Sequence, residues 1–205
     1  MKILANKIFV IENFLSPETC DFLAESFSKN LVDSPSWENG SGDYSAGSSK
    51  DFWGKGMSAG PAYTYSHRKE ELSATNKMLP YDGDNDVAKD LLTGVALLQE
   101  KAVANIFKKD IYMKHMMYCY MRPGTENKLH HDNWLEDQVD DHSGLLYLND
   151  DYEGGLLQFP NENISFRPKK GTFVCFVGDD TLPHEVTKIT SGNRINLITF
   201  YSIRL

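Results

Sequence analysis

Only three cysteines occur in the 205-residue chain, Cys20, Cys119 and Cys175, and no two of them form a Cys-x-x-Cys pair. An odd, widely spaced set excludes a disulfide framework and a cysteine-built zinc site, and it leaves buried free thiols as the expectation. Long apolar runs are missing too. The stretch from Met1 to Phe14 is broken by Asn6, Lys7 and Glu12, short of the roughly 7–15 apolar residues of a signal core or the roughly 18 of a membrane span. No membrane association and a cytoplasmic location are therefore expected, and Asn163-Ile164-Ser165 is then no glycan acceptor. Positive charge is in deficit: 21 Lys and Arg face 29 Asp and Glu, for a formal net charge of -8. Binding a phosphate backbone needs clustered Lys and Arg, which argues against a nucleic-acid partner. The acidic balance suits a cationic protein or peptide partner, and it equally suits a chain that is merely kept soluble. With no internal repeat and no marked boundary, residues 1–205 are expected to form a single domain.

What is present falls into two textures. Residues 7–12, KIFVIE, read as a strand. Ser16-Pro17-Glu18-Thr19 then opens a helix, with Ser16 as N-cap, Pro17 at the first helical position and Glu18 complementing the dipole. Residues 31–66 are rich in Gly and Ser yet carry Trp37, Tyr44, Phe52 and Trp53. Linkers seldom hold such aromatics and binding loops often do, so this stretch is the expected substrate loop or lid. The same aromatics could instead pack on the scaffold. From Asp84 to Lys109, Val87, Leu91, Val95, Leu98, Ala102 and Ile106 form one apolar stripe at helical spacing. After Ile111 short β runs alternate with Gly, Pro, Asn and Asp turns, which argues for a sandwich or barrel. The expectation is an α+β layout: residues 1–110 give helical support and the substrate loop, and residues 111–205 give the β core.

Six histidines occur. In Leu129-His130-His131-Asp132-Asn133 the period of two on a strand puts His130 and Asp132 on one face and His131 on the other. An imidazole beside a carboxylate supplies two members of the 2-His-1-carboxylate set that non-haem Fe(II) oxygenases use. The other register, His131 with Asn133, offers no carboxylate. His184, in Leu182-Pro183-His184-Glu185-Val186, is the candidate third ligand, and Arg194 stands ten residues further on. 2-Oxoglutarate chelates iron through its 1-carboxylate and 2-keto oxygen, so its distal carboxylate needs a fixed cation, and Arg offers a bidentate fork. Taken singly, the His-x-Asp triplet fits a surface pair, His184 a core histidine and Arg194 a surface charge. Their order and spacing together are what point to iron.

These segments resemble the prolyl 4-hydroxylase-like 2-oxoglutarate oxygenases. Cys119-Tyr120 through Pro123-Gly124-Thr125 to His130-His131-Asp132-Asn133 is similar to that family's first-ligand segment. Leu146 to Gly155, ending in Phe159-Pro160, is similar to its "YLNDDFEGGETxFP" hairpin, and Pro168-Lys169-Lys170-Gly171 to its "PKKG" turn. His184, Val186, Gly192 and Arg194 fit the family's closing pattern, and Asn13 to Cys20 its entry helix. The resemblance implies a double-stranded β-helix, or jelly roll, with N-terminal supporting helices. It implies iron on His130, Asp132 and His184, and a cosubstrate carboxylate on Arg194 with help from the Tyr147 hydroxyl and Tyr120. It implies Fe(II), 2-oxoglutarate and O2, with ascorbate as a supporting reductant, and hydroxylation of a prolyl residue in a protein or peptide. Asn127 stands where many members carry Tyr, and Phe200 where Trp is usual. With Trp134 and Trp53 they form the expected substrate mouth. The readings beside this one are the same chemistry on a small molecule or free amino acid, a nucleic-acid demethylase that the charge disfavours, and a binding module without catalysis. The last would have no reason to keep all four of His130, Asp132, His184 and Arg194.

Overall fold

The computed structural model describes residues 1–5, 7–32, 57–64, 86–132 and 142–204. They form β1 (Lys2–Ala5), β2 (Ile8–Ile11), α1 (Pro17–Val32), β3 (Met57–Thr64), α2 (Asp86–Phe107), β4 (Ile111–Met121) and β5 (Asn127–His130). Then come β6 (His142–Tyr147), β7 (Glu153–Gly154), β8 (Leu157–Phe159), β9 (Ile164–Phe166), β10 (Phe173–Val177), β11 (His184–Val186), β12 (Ile189–Ser191) and β13 (Arg194–Ile203). A seven-stranded antiparallel sheet runs in the order β1-β2-β10-β6-β13-β4-β3, and a four-stranded one in the order β5-β11-β8-β9. The crossovers this order requires are those of a jelly roll.

Alternation along the strands of the large sheet splits its side chains between two apolar clusters. One face sends Tyr118, Leu146, Phe173, Cys175 and Leu197 into a cluster with Cys20 and Leu23 of α1 and Leu92, Val95 and Val103 of α2. The opposite face sends Cys119, Met121, Leu145, Tyr147, Val174 and Phe176 into a second cluster with Leu157, Phe159 and Val186 of the smaller sheet. A sheet buried on both faces reads as a continuous apolar run, which is why TFVCFV and SGLLYL lack the polar alternation of a half-exposed strand. Helix α1 opens as its sequence dictates: the Thr19 amide donates to Ser16 Oγ at 3.2 Å. Helix α2 is closed by Lys108 in the left-handed region at φ 56°, followed by a bond from the Lys109 amide to the Ala104 carbonyl.

One expectation changes. The stretch 31–66 is not loop throughout, because Met57–Thr64 pairs with β4 at the edge of the large sheet. Glycine, serine and a proline hide a strand that is specified by main-chain pairing, and Pro61 is tolerated because an edge strand needs only one set of ladder bonds. The register shifts between Pro61 and Tyr63, as a bulge at that proline requires. The first 110 residues thus contribute strands β1, β2 and β3 to the large sheet besides the two helices. Trp37, Phe52, Trp53 and Trp134 lie outside the described residues.

Candidate metal centre and anion pocket

A single strand register assembles the centre. β5 and β11 are antiparallel neighbours in the smaller sheet, and His130 stands directly opposite His184. The chain then turns, and the Asp132 amide donates to the Gly178 carbonyl at 3.0 Å, which ties Asp132 to the end of β10. Asp132 Oδ1 lies 3.6 Å from His130 Nε2, and Asp132 Oδ2 lies 3.5 Å from His184 Nε2. The three ligand atoms all fall within 4.8 Å of one another, and this is the group among the described residues that could hold a metal ion. His131 is not part of it.

Each imidazole is oriented from behind. His130 Nδ1 meets the Lys128 carbonyl at 2.5 Å, and His184 Nδ1 meets the Leu182 carbonyl at 3.4 Å. Those carbonyls favour the proton on Nδ1 and leave the Nε2 lone pair facing the carboxylate, which is the tautomer a metal ligand needs. The ring of Phe176 packs edge-on against His184 with centroids 4.6 Å apart. Two imidazoles and one carboxylate, shielded from bulk water, fit Fe(II) in donor type and number.

Burial and, next to it, the neighbouring His184 push the His130 imidazole down to about 4. The folded pKa thus lies below the unfolded value of about 6.5, so between these values the unfolded chain binds the extra proton. The metal-free protein is expected to lose stability as pH falls from about 6.5 to about 4, with a slope from this group approaching about 1.4 kcal/mol per pH unit. Denaturant titrations across that range check it, and His130→Gln should flatten the slope.

The same cavity holds a buried cation. It opens between the two sheets with an empty volume of about 550 Å³, open solvent at its mouth included, and Arg194 lines it together with all three candidate ligands. Arg194 is 1% exposed. Its Nη2 donates to the Tyr147 hydroxyl at 3.0 Å and its Nη1 to Asn196 Oδ1 at 2.8 Å, and its Cζ sits 4.9 Å from the Tyr147 ring centroid. Arg194 Nε has no partner among the described residues. Tyr147, Tyr152 and Cys119 surround it, and all are held neutral. Burial pushes both phenols up against the opposing pull of Arg194, and it pushes the Cys119 thiol up to about 11. Among the described residues no carboxylate pairs with Arg194. A buried guanidinium without a counter-charge costs several kcal/mol, so a site built this way is built for an anion.

Gly155 makes room for that arginine. Its φ is +60°, and a Cβ there would stand 2.4 Å from Ile189 Cδ1, 2.9 Å from Tyr152 Cε2 and 3.3 Å from Arg194 Cδ. Gly155→Ala is expected to cost about 1–3 kcal/mol in urea unfolding, since it adds both left-handed strain and a clash.

Of the residues read from the sequence, the structure brings His130, Asp132, His184, Arg194, Asn127 and Phe200 to one cavity wall, and it sets the Tyr147 hydroxyl on Arg194. Asn127 is 8% exposed, and its Oδ1 has no partner among the described residues. Tyr120 is not brought there. It belongs to the helix-facing cluster, while its neighbours Cys119 and Met121 line the cavity. Successive residues of β4 point to opposite faces, so the strand cannot offer both Tyr120 and Met121 to one pocket. Sequence reasoning missed Met121, Ser143, Leu145, Phe176 and Ile198 on the wall, and Asn196 beside the arginine. The signal was available: steps of two from Tyr147 reach Leu145 and Ser143, and steps of two from Arg194 reach Asn196, Ile198 and Phe200.

Comparison with known proteins agrees with this geometry. Residues 115–202 match the 2OG-Fe(II) oxygenase superfamily. A 67-residue segment is 40% identical to prolyl 3-hydroxylase 3 of Mus musculus, and a 68-residue segment is 34% identical to prolyl 3-hydroxylase 2 of Homo sapiens. The segments are 30% and 31% of this chain but 9% and 10% of those proteins, so the chain spans about a tenth of the length of the curated relatives it matches. In fold it is similar to a Pseudomonas putida prolyl-4-hydroxylase, with TM-score 0.64, 16% identity and coverage of 98% of this chain and 96% of that one. It is similar also to a Trichoplax adhaerens prolyl hydroxylase solved with a hypoxia inducible factor peptide fragment, with TM-score 0.66, 21% identity and coverage of 96% and 84%. In fold and site the chain is similar to a prolyl 4-hydroxylase-like 2OG-Fe(II) oxygenase. Residues 115–202 carry its superfamily signature, and they include every candidate ligand and Arg194.

Proposed function

We propose that this chain is an Fe(II)- and 2-oxoglutarate-dependent dioxygenase that hydroxylates a substrate C–H bond, with a prolyl residue of a protein or peptide as the favoured substrate. His130, Asp132 and His184 would hold the iron. When bound, iron supplies the oxidation that couples conversion of 2-oxoglutarate and O2 to succinate and CO2 with transfer of one oxygen atom to the C–H bond, with ascorbate as a supporting reductant. The rest is the work of this chain's own side chains. Arg194 receives the distal carboxylate of 2-oxoglutarate, and the Tyr147 hydroxyl steers the guanidinium. Leu145, Phe176 and Ile198 keep water from the reacting centre, which strengthens every charge interaction within it. Asn127 and Phe200 face the substrate at the mouth.

The observation that carries this reading is the pairing, in one cavity, of a His-Asp-His cluster with a buried, uncompensated Arg194. Either could be structural alone, but together they match a ligand that chelates at one end and is anionic at the other. The prolyl substrate is supported by the prolyl hydroxylase relatives and by the peptide bound to the Trichoplax protein. Within this reading α1 and α2 buttress the large sheet, and residues 1–205 act as one domain. No helix among the described residues is long and apolar enough to cross a membrane. The three cysteines are free and buried, which favours a reducing compartment such as the cytoplasm.

Mass spectrometry tests the substrate. Proline-containing peptides incubated with the protein, Fe(II), 2-oxoglutarate and ascorbate are expected to gain one oxygen atom, and fragmentation reads the residue and the carbon. If peptides gain nothing while a free amino acid or other small molecule does, the prolyl-peptide assignment fails and the chemistry stands.

A further inference from the structure

Among the described residues, Arg194 is restrained by neutral groups alone. Its hydrogen-bond acceptors among those residues are the Tyr147 hydroxyl, Asn196 Oδ1 and, at 3.2 Å, Met121 Sδ. Asn196 stands out among them. It is fully buried, it lies two residues along β13 on the same face as Arg194, and it is clamped between Cys119 of β4 and Tyr147 of β6, its register partners. Its Nδ2 has no partner among the described residues. A buried amide that leaves its donor unpaired is a poor choice for packing, since leucine would fill the space without that penalty. An aspartate would bind the guanidinium more strongly but would cancel its charge. Only a neutral acceptor both fixes the fork and leaves the positive charge for a ligand.

We propose that Asn196 is the positioning residue for the distal carboxylate of 2-oxoglutarate, acting through Arg194. This rests on the cosubstrate reading given above. The consequence is selectivity between keto acids: Asn196 sharpens the preference for a dicarboxylate over a monocarboxylate of the same chain length.

Calorimetric titration of the Mn(II)-loaded protein with 2-oxoglutarate and with 2-oxopentanoate, which lacks the distal carboxylate, measures that preference without turnover. Asn196→Asp is expected to reduce the affinity ratio by about tenfold or more, the scale of a charge-assisted bond. The ligand-free melting temperature of this variant should not fall, because Arg194 gains a counter-charge. A merely structural asparagine would give the opposite pattern, with lower stability and an unchanged ratio. Asn196→Leu, which keeps the volume and removes the acceptor, should lower the ratio as well, and it decides the matter if Asn196→Asp does not fold. An unchanged ratio in the folded Asn196 variants, with a collapsed ratio in Arg194→Ala, overturns the role of Asn196 alone. An unchanged ratio in Arg194→Ala overturns the cosubstrate reading itself.

Discussion

Arg194→Ala raises the concentration of 2-oxoglutarate needed for half-maximal succinate release by about 100-fold or more, and it leaves the iron requirement nearly unchanged. The magnitude follows from losing two charge-assisted hydrogen bonds to a buried guanidinium, each of the order of 1.5–3 kcal/mol. The separation of the two requirements follows from position. Arg194 sits with Tyr147, Asn196 and Met121, and none of the three candidate metal ligands is among its hydrogen-bond partners. Arg194→Met is the sharper variant for folding, because it fills the volume without a charge. A buried ion replaced by an apolar side chain of similar size is often neutral or stabilising, so this variant should fold and still fail to bind the dicarboxylate. Initial-rate measurements against 2-oxoglutarate and against Fe(II) separate the two effects, and equal changes in both would count against the assignment of Arg194.

His184→Ala abolishes iron-dependent turnover. The histidine lies opposite His130 in the smaller sheet, and its Nε2 is 3.5 Å from Asp132. Removing it leaves one imidazole and one carboxylate, too few donors to hold a labile divalent ion. The rings of Phe159 and Phe176 flank it at centroid distances of 5.8 and 4.6 Å, so alanine also opens space in the wall. Asp132→Asn controls for that, since it keeps the shape and removes the charge. Both variants are expected to retain near-ultraviolet dichroism and to lose stoichiometric metal on equilibrium dialysis. Succinate release persisting in His184→Ala would remove it from the ligand set.

The centre was legible in the sequence because it depends on the shortest-range rules. The period of two suggested His130 with Asp132 and the carboxylate excluded the His131 register, although β5 ends at His130 and Asp132 follows on the turn, tied to Gly178. What spacing could not supply was the partner strand. His184 meets His130 through the β5–β11 pairing, and such pairing is fixed by the whole sheet rather than by residues nearby. Tyr120 lies elsewhere than the resemblance implies. β4 turns Cys119 and Met121 inward and sends Tyr120 toward the helices. The strand at Met57–Thr64 was hidden for a different reason. It is held by main-chain bonds at a sheet edge, and composition carries little trace of such pairing. Asn196 passed unnoticed as an ordinary polar residue between Ile195 and Leu197, and only its burial beside Arg194 marks it.

On the proposed function, one cavity binds iron at His130, Asp132 and His184 and holds 2-oxoglutarate between that iron and Arg194. Anaerobic addition of 2-oxoglutarate to the Fe(II)-loaded protein tests it most directly. A visible metal-to-ligand charge-transfer band should appear, saturate at one equivalent per chain, and be absent in His184→Ala. In Arg194→Ala it should require far more 2-oxoglutarate. A protein that binds Fe(II) and 2-oxoglutarate yet develops no band, or a band that survives in His184→Ala, would contradict the account.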